Sequence, residues 1–309
     1  MRIAGALLAL ILAAGAADAA ECGPDGLGTA RVVAVGTQGG LEVGLKTYPR
    51  TIPLADHEVI LTFDDGPDAA NTPRILDALE AECVRATFFD IGRNAAALRG
   101  LARREVLDGH TVASHTWSHP QPTLRYLPGG DAAARADILK GMIAVEKAAY
   151  GRDVSGAGPK DLKLEAPFFR FPGFADTPDL REWLAANDVG IFGVDLWASD
   201  WIKMTPEEEL KLVMGRLEKN GHKGMLLMHD NHPSTAAMVP MLLKRLKAEG
   251  YRVVHMTGGG SGRGPTEPAP PGWTSETERV IGALKPRLEK AAGKRIADGP
   301  IPVKPAPTE

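Results

Sequence analysis

Cysteine, excess charge and long apolar runs are all scarce in this chain. Cys22 and Cys83 are the only cysteines among 309 residues. That is too few for a disulfide framework, but in an oxidising compartment an even pair suggests one bridge tying the N-terminal region to the domain. The formal net charge is only −3, so nothing points to nucleic acid or an acidic membrane surface as partner. Internal repeats are absent. Past the N-terminus no apolar stretch reaches the roughly 20 residues that span a bilayer, so no transmembrane segment is expected in the mature chain. The exception lies at the start: Met1-Arg2, then an apolar stretch from Ile3 to Ala17, then Ala17-Asp18-Ala19, a small-x-small cleavage pattern. Residues 1–19 read as a secretory signal peptide. The mature chain is then exported, periplasmic or extracellular.

From residue 56 to 257 short apolar runs alternate with helical patterns. The runs are Val59–Phe63, Ala86–Asp90, His110–Ser114, Phe168–Phe171, Gly190–Val194, Gly224–Met228 and Arg252–His255. They show little polar alternation, as strands buried on both faces do. Helices are expected from Thr72-Pro73, with proline at the first helical position, and over Asp131–Tyr150, Pro178–Asn187 and Thr235–Glu249. Another starts at the capping box Thr205-Pro206-Glu207-Glu208 and stops at Asn220-Gly221. About seven alternations predict a parallel α/β architecture, barrel or open sheet, between which periodicity does not choose. Residues 20–55 read as a short strand-rich extension before the domain. Residues 258–309 read as a Gly/Pro-rich linker and tail with one helix over Thr274–Gly293, kinked or split at Pro286.

Polar residues interrupt the pattern at one consistent place, just after the apolar runs. Asp64-Asp65 follow Phe63, and Gly66-Pro67 turns the chain there. His115 and His119 follow Ser114, Arg170 ends Phe168-Phe169, Asp195 and Asp200-Trp201 follow Val194, and His229-Asp230 follow Met228. In parallel α/β folds the carboxyl ends of the strands share one face, where active sites sit. Two like charges side by side disfavour double ionisation, and a metal ion on one aspartate would remove that cost. If His115–His119 is helical, its two imidazoles share a face and can grip one ion. With a strand-end aspartate they make a two-histidine, one-carboxylate site with open positions, the pattern of a catalytic metal. Nitrogen and oxygen donors suit zinc first, and also cobalt, nickel or iron.

Thr62-Phe-Asp-Asp-Gly-Pro67, Ser114-His-Thr-Trp-Ser-His-Pro120, Arg170-Phe-Pro172, Asp200-Trp201 and Leu227-Met-His229 together resemble the five ordered motifs of the polysaccharide deacetylases, the nodulation-type (NodB-homology) carbohydrate esterases. The resemblance implies a distorted (β/α) barrel of about seven parallel strands over residues 56–257. It also implies a metal-dependent hydrolase that removes N-acetyl groups from an N-acetylglucosamine-containing glycan of chitooligosaccharide, peptidoglycan or exopolysaccharide type. By motif position, Asp65, His115 and His119 would bind the metal and Asp64 would be the base. His229 would be the acid, Arg170 would hold Asp64 and Asp200 would tune His229. Gly173, Trp201 and Leu227 would contact substrate. The third motif departs from the family in having Gly173 where an aromatic residue is usual, with Phe174 next. The fourth is stretched, and the motif favours Asp200 over Asp195. His232 reads as a surface-loop histidine. The competing readings are an allantoin-like cyclic-amide hydrolase of the same superfamily and a non-catalytic cell-wall glycan-binding barrel. The intact metal set with the signal peptide argues against the first, and the presence of both Asp64 and His229 against the second.

Overall fold

Each expected apolar run forms a strand. The computed structural model describes residues 26–298 except 157, 159 and 160; the expected signal peptide, Cys22 and residues 299–309 lie outside that description. The extension supplies β1 (Thr29–Ala34), β2 (Leu41–Val43) and β3 (Arg50–Thr51). There follow β4 (Glu58–Asp64), α1 (Thr72–Ala81), β5 (Thr87–Asp90), α2 (Gly92–Ala97), α3 (Arg99–Leu107), β6 (Thr111–Ser114), α4 (Gly130–Ala149), β7 (Phe168–Phe169) and α5 (Pro178–Ala185). Then come β8 (Gly190–Phe192), β9 (Leu196–Trp197), α6 (Pro206–Lys219), β10 (Gly224–His229), α7 (Pro233–Ala248) and β11 (Arg252–Thr257), with β12 (Glu267–Pro268) and α8 (Glu276–Asp298) in the tail.

The pairings close on themselves. Along Val59–Asp64, β4 pairs in parallel with β10; its other side is shared by β11, at Glu58–Val59, and β5, at Thr62–Asp64. From β5 the pairing passes to β6, β7 and β8. The segment leaving β8 becomes β9, which pairs with β10, and β10 returns to β4. This circuit is a barrel, distorted because one segment serves as two short strands. It decides what periodicity left open.

The extension is woven into the same sheet rather than standing before it. β1 pairs in parallel with β11, and β2 with β8, so the main sheet has ten strands. The reason is apolar burial: Val33, Val35, Leu41, Val43, Ile52 and Leu54 join Ile60, Phe89, Phe168, Phe192 and Met225 in one core cluster. Along β4 side chains alternate. Val59, Leu61 and Phe63 pack outward on the Ile75, Leu76 and Leu79 face of α1 and on α7, while Ile60 points inward. The inward phase continues through Thr62 to Asp64, which brings a carboxylate to the rim of the barrel.

The tail is docked on the extension. β12 pairs antiparallel with β3, Trp273 Nε1 donates to the Leu45 carbonyl at 2.6 Å, and Lys46 forms an ion pair with Glu276. α8 runs on through Pro286 as one helix instead of splitting there. The residues around Pro286 are exposed, so water can satisfy the carbonyl that proline leaves without a donor. The capping box of α6 forms as expected, with Glu208 N donating to Thr205 Oγ1 and Thr205 N to Glu208 Oε2. Cys83 is in a disulfide; its expected partner, Cys22, is outside the described residues.

Tyr48 fixes the extension to the rim. It is buried, and its hydroxyl donates to Asp176 Oδ2 at 2.7 Å. Tyr48→Phe should cost about 1–3 kcal/mol, because Asp176 loses its short partner while staying buried; urea unfolding of the variant measures it.

Candidate active site

Asp64 and Asp65 leave β4 in opposite directions. Asp64 keeps the inward phase of the strand and is buried. Its Oδ1 accepts from Arg170 Nη1 at 2.6 Å. Arg170 follows β7 and is itself fully buried in the barrel. Its remaining donors reach Thr62 Oγ1 at 2.9 Å, the Phe192 carbonyl at 3.0 Å and the Gly193 carbonyl at 3.1 Å. Its guanidinium lies 4.0 Å over the Phe89 ring, a favourable cation–π contact.

Asp65 adopts φ of +78°, which turns its side chain away from Asp64 and toward the histidines. Its Oδ1 is 3.5 Å from His115 Nε2 and 3.4 Å from His119 Nε2. Oδ1 is buried, yet it has no hydrogen-bond partner among the described residues. Burial by itself would raise the Asp65 pKa, but the neighbouring histidines, His115 first and then His119 and His229, bring it below the ordinary carboxylate value. His115 is pushed down to about 4, chiefly by burial, so its imidazole is neutral. Its Nδ1 faces the Arg170 carbonyl at 2.8 Å. A carbonyl only accepts, so the proton sits on Nδ1 and the Nε2 lone pair points to Asp65. A neutral imidazole, a second imidazole and an unpartnered carboxylate oxygen fit a divalent cation; the ligand atoms lie within 4.8 Å of one another.

The histidine pair is not helical. Thr116 and His119 have φ of 71° and 47°, and the segment is a turn. α4 holds it: Asp137 Oδ1 accepts from Trp117 N at 3.0 Å and Ser118 N at 3.2 Å. One turn on, Gly141 lies so close that a Cβ there would sit 2.3 Å from the Thr116 carbonyl carbon. The two rings meet, 5.2 Å between centroids, by turn geometry and not by helical spacing.

Across the rim, His229 ends β10. Its Nδ1 is 2.7 Å from Asp200 Oδ1, and Asp200 Oδ2 accepts from His229 N at 2.6 Å and Thr235 Oγ1 at 2.9 Å. Burial pulls the His229 pKa down, but Asp200, with help from Asp65 and Asp64, outweighs it and lifts the value to about 9. Asp195 faces elsewhere, accepting from Leu45 N, Thr51 Oγ1 and Met225 N. Leu227 is buried with Phe174 and Val194, and the partly buried Trp197 packs against them. Trp201 is half exposed and stands edge-on to His229, 5.8 Å between centroids. Gly173, with φ of 58°, is in the short turn before Phe174. His232 is not a free surface histidine, since its ring meets His229 at 5.6 Å.

Several polar residues behind the rim have a place that the sequence does not show. Asn94 Nδ2 donates to the Asp65 carbonyl at 2.9 Å. Asp230 is buried and accepts from Thr72, and a Cβ on Gly66 would lie 2.1 Å from its Oδ2. Burial first raises the Asp230 pKa, to about 7. Burial, then the charge of Asp230, pushes Asp90 up, and burial, then the charge of Asp90, pushes Glu105 up. Asp90 and Glu105 look like ordinary charged residues in the sequence, and Asp230 stands out there only as the neighbour of His229.

With this geometry, the chain matches the family model described as polysaccharide deacetylase over residues 52–152, and it belongs to that family. A peptidoglycan-N-acetylglucosamine deacetylase of Bacillus cereus is 32% identical over 216 residues, covering 67% of this chain and 72% of the relative. One from Listeria monocytogenes is 31% identical over 196 residues, 63% of this chain. The match spans 37% of that relative's own length. Among solved structures, a Bdellovibrio bacteriovorus peptidoglycan deacetylase aligns with a TM-score of 0.62 at 27% identity, covering 75% of this chain and 59% of that one.

The split of the aspartate pair is testable by zinc titration. If Asp65 is an anionic ligand, Asp65→Asn should weaken zinc affinity by at least about 100-fold, while Asp64→Asn should bind zinc within a few-fold of the parent. Equal loss in both variants would contradict the split.

Proposed function

We infer that this chain is an exported, metal-dependent deacetylase that hydrolyses N-acetyl groups of an N-acetylglucosamine-containing glycan and releases acetate. The observation that carries the reading is the meeting at one rim of three units: Asp64 held by Arg170, the set Asp65, His115 and His119, and His229 held by Asp200. Asp65, His115 and His119 would hold a divalent ion, zinc first, which would supply Lewis-acid chemistry toward water and the substrate carbonyl. Asp64 takes the proton of the attacking water. Its Oδ1 is committed to Arg170, and its Oδ2 lies 3.8 Å from His115 Nε2, on the side of the metal-type set. His229 gives its Nε2 proton to the departing nitrogen, because an amine leaves poorly unless protonated. Asp200 accepts from Nδ1–H and so leaves the Nε2 proton as the one given up. Leu227 and Trp201 wall the acetyl group, and the Gly173 N–H is offered to the carbonyl oxygen.

Substrate class and compartment rest on separate supports. The relatives are named for peptidoglycan N-acetylglucosamine, chitin and chitooligosaccharide, all polymers or oligomers that carry acetamido sugars. The pattern of residues 1–19 and the disulfide at Cys83 support an oxidising compartment.

Acetate release from peptidoglycan, chitooligosaccharides and acetylated xylan, with and without chelator, tests this function. Release should stop with chelator and return with zinc, and Asp64→Asn should lower kcat by about 10³-fold. No release from any of the three would contradict the reading. The pH dependence has a definite sign. His229 is lifted above its ordinary value to about 9, so it is protonated at neutral pH, and kcat/KM should fall as pH rises through that value. Asp200→Asn removes the charge that holds the proton and should move this limb to lower pH.

A further inference from the structure

Hydrogen bonding does not stop at Asp200. The Thr235 hydroxyl that reaches Asp200 Oδ2 at 2.9 Å is also 3.0 Å from Oε1 of Glu209. Glu209 is in the first turn of α6 beside the exposed Glu207 and Glu208, yet it is fully buried. Its Oε2 has no hydrogen-bond partner among the described residues. The reaction assigned above makes no use of it, and a carboxyl buried beside a second carboxylate is costly unless it has a role or stays neutral.

A hydroxyl has one proton to give. When Thr235 gives it to Asp200, the Thr235 oxygen faces Glu209 with no proton between them unless Glu209 carries its own. A neutral Glu209 then donates to Thr235, and Asp200 keeps three donors. When Glu209 is ionised it draws the Thr235 proton to itself, and Asp200 is left with two donors and a second negative charge nearby. Both changes strengthen the hold of Asp200 on the His229 proton.

We propose that Glu209 is a positioning residue for the acid of the reaction, setting through Thr235 how tightly Asp200 holds the His229 proton. This rests on the reading of His229 as the acid. The surroundings support it. Burial, then the charge of Asp200, raises Glu209 to about 7, against the Thr235 and Ser234 hydroxyls of α7 and the charge of His229 on β10. Arg216, two turns further along α6, is engaged elsewhere, donating to the Trp197 carbonyl and Ser199 Oγ. Below that pH the hydroxyl serves Asp200, and His229 parts with its proton more readily. Above it His229 stays protonated to higher pH.

The test is an NMR titration of the His229 imidazole in the full-length, zinc-loaded protein, with the pH profile of kcat/KM alongside. Glu209→Gln donates to Thr235 at every pH, so His229 should titrate about half to one unit lower than in the parent, and the alkaline limb of kcat/KM should move with it. Glu209→Leu, which removes both charge and acceptor, should shift His229 in the same direction and serves if the glutamine variant does not fold. A His229 titration unchanged to within about 0.1 unit in a folded variant overturns the proposal. Full activity in His229→Ala would instead overturn the acid reading, and the NMR arm distinguishes the two because it does not depend on turnover.

Discussion

The buried ion pair between Arg170 and Asp64 is the contact on which the other parts of the site depend. Both partners are inside the barrel, where removing one and stranding the other costs about 3–5 kcal/mol. The pair is tolerated because the guanidinium is satisfied on every side, by Thr62, by the Phe192 and Gly193 carbonyls and by the Phe89 ring. One residue thereby ties β4, β7 and the end of β8 together. It also fixes His115 through its own carbonyl. The aspartate assigned as base and a histidine of the metal-type set are therefore oriented by a single side chain and its backbone, and a shift of one would shift the other.

Much of this was legible in the sequence because a buried strand that ends in a charge is a contradiction. Asp64, Arg170 and His229 each follow a run with no reason to admit a polar group, and the barrel brings all three to one rim. Asp200 is the aspartate that contacts His229, while Asp195 is occupied by backbone and Thr51 donors. The histidine pair was legible as a pair but not as a turn. The positive φ values at Thr116 and His119 depend on Asp137 and Gly141 of α4, a contact between distant segments that spacing does not encode. The role of the extension was equally hidden, because β1 and β2 are short and their partners lie far along the chain.

Acidic residues were the hardest to read. Glu209 sits among surface glutamates in sequence, and Asp230 looks like the tail of a motif. Their burial comes from the packing of α6 and α7 and from the close approach of Gly66. A low-dielectric setting turns such groups from solvated anions into proton holders. Composition records an ordinary acid content. It does not record that some of these carboxyls are kept from water immediately behind the site.

β1 pairs with β11, from Thr29 opposite Val253 to Ala34 opposite Thr257, and β3 waits for β12. β1, the first strand among the described residues, thus has no partner until nearly the whole domain has been made. This pairing is a late event, made between distant positions, and folding governed by such contacts is slow. A growing chain carries β1 as an open edge, so the native sheet is complete only once residue 257 has emerged from the ribosome.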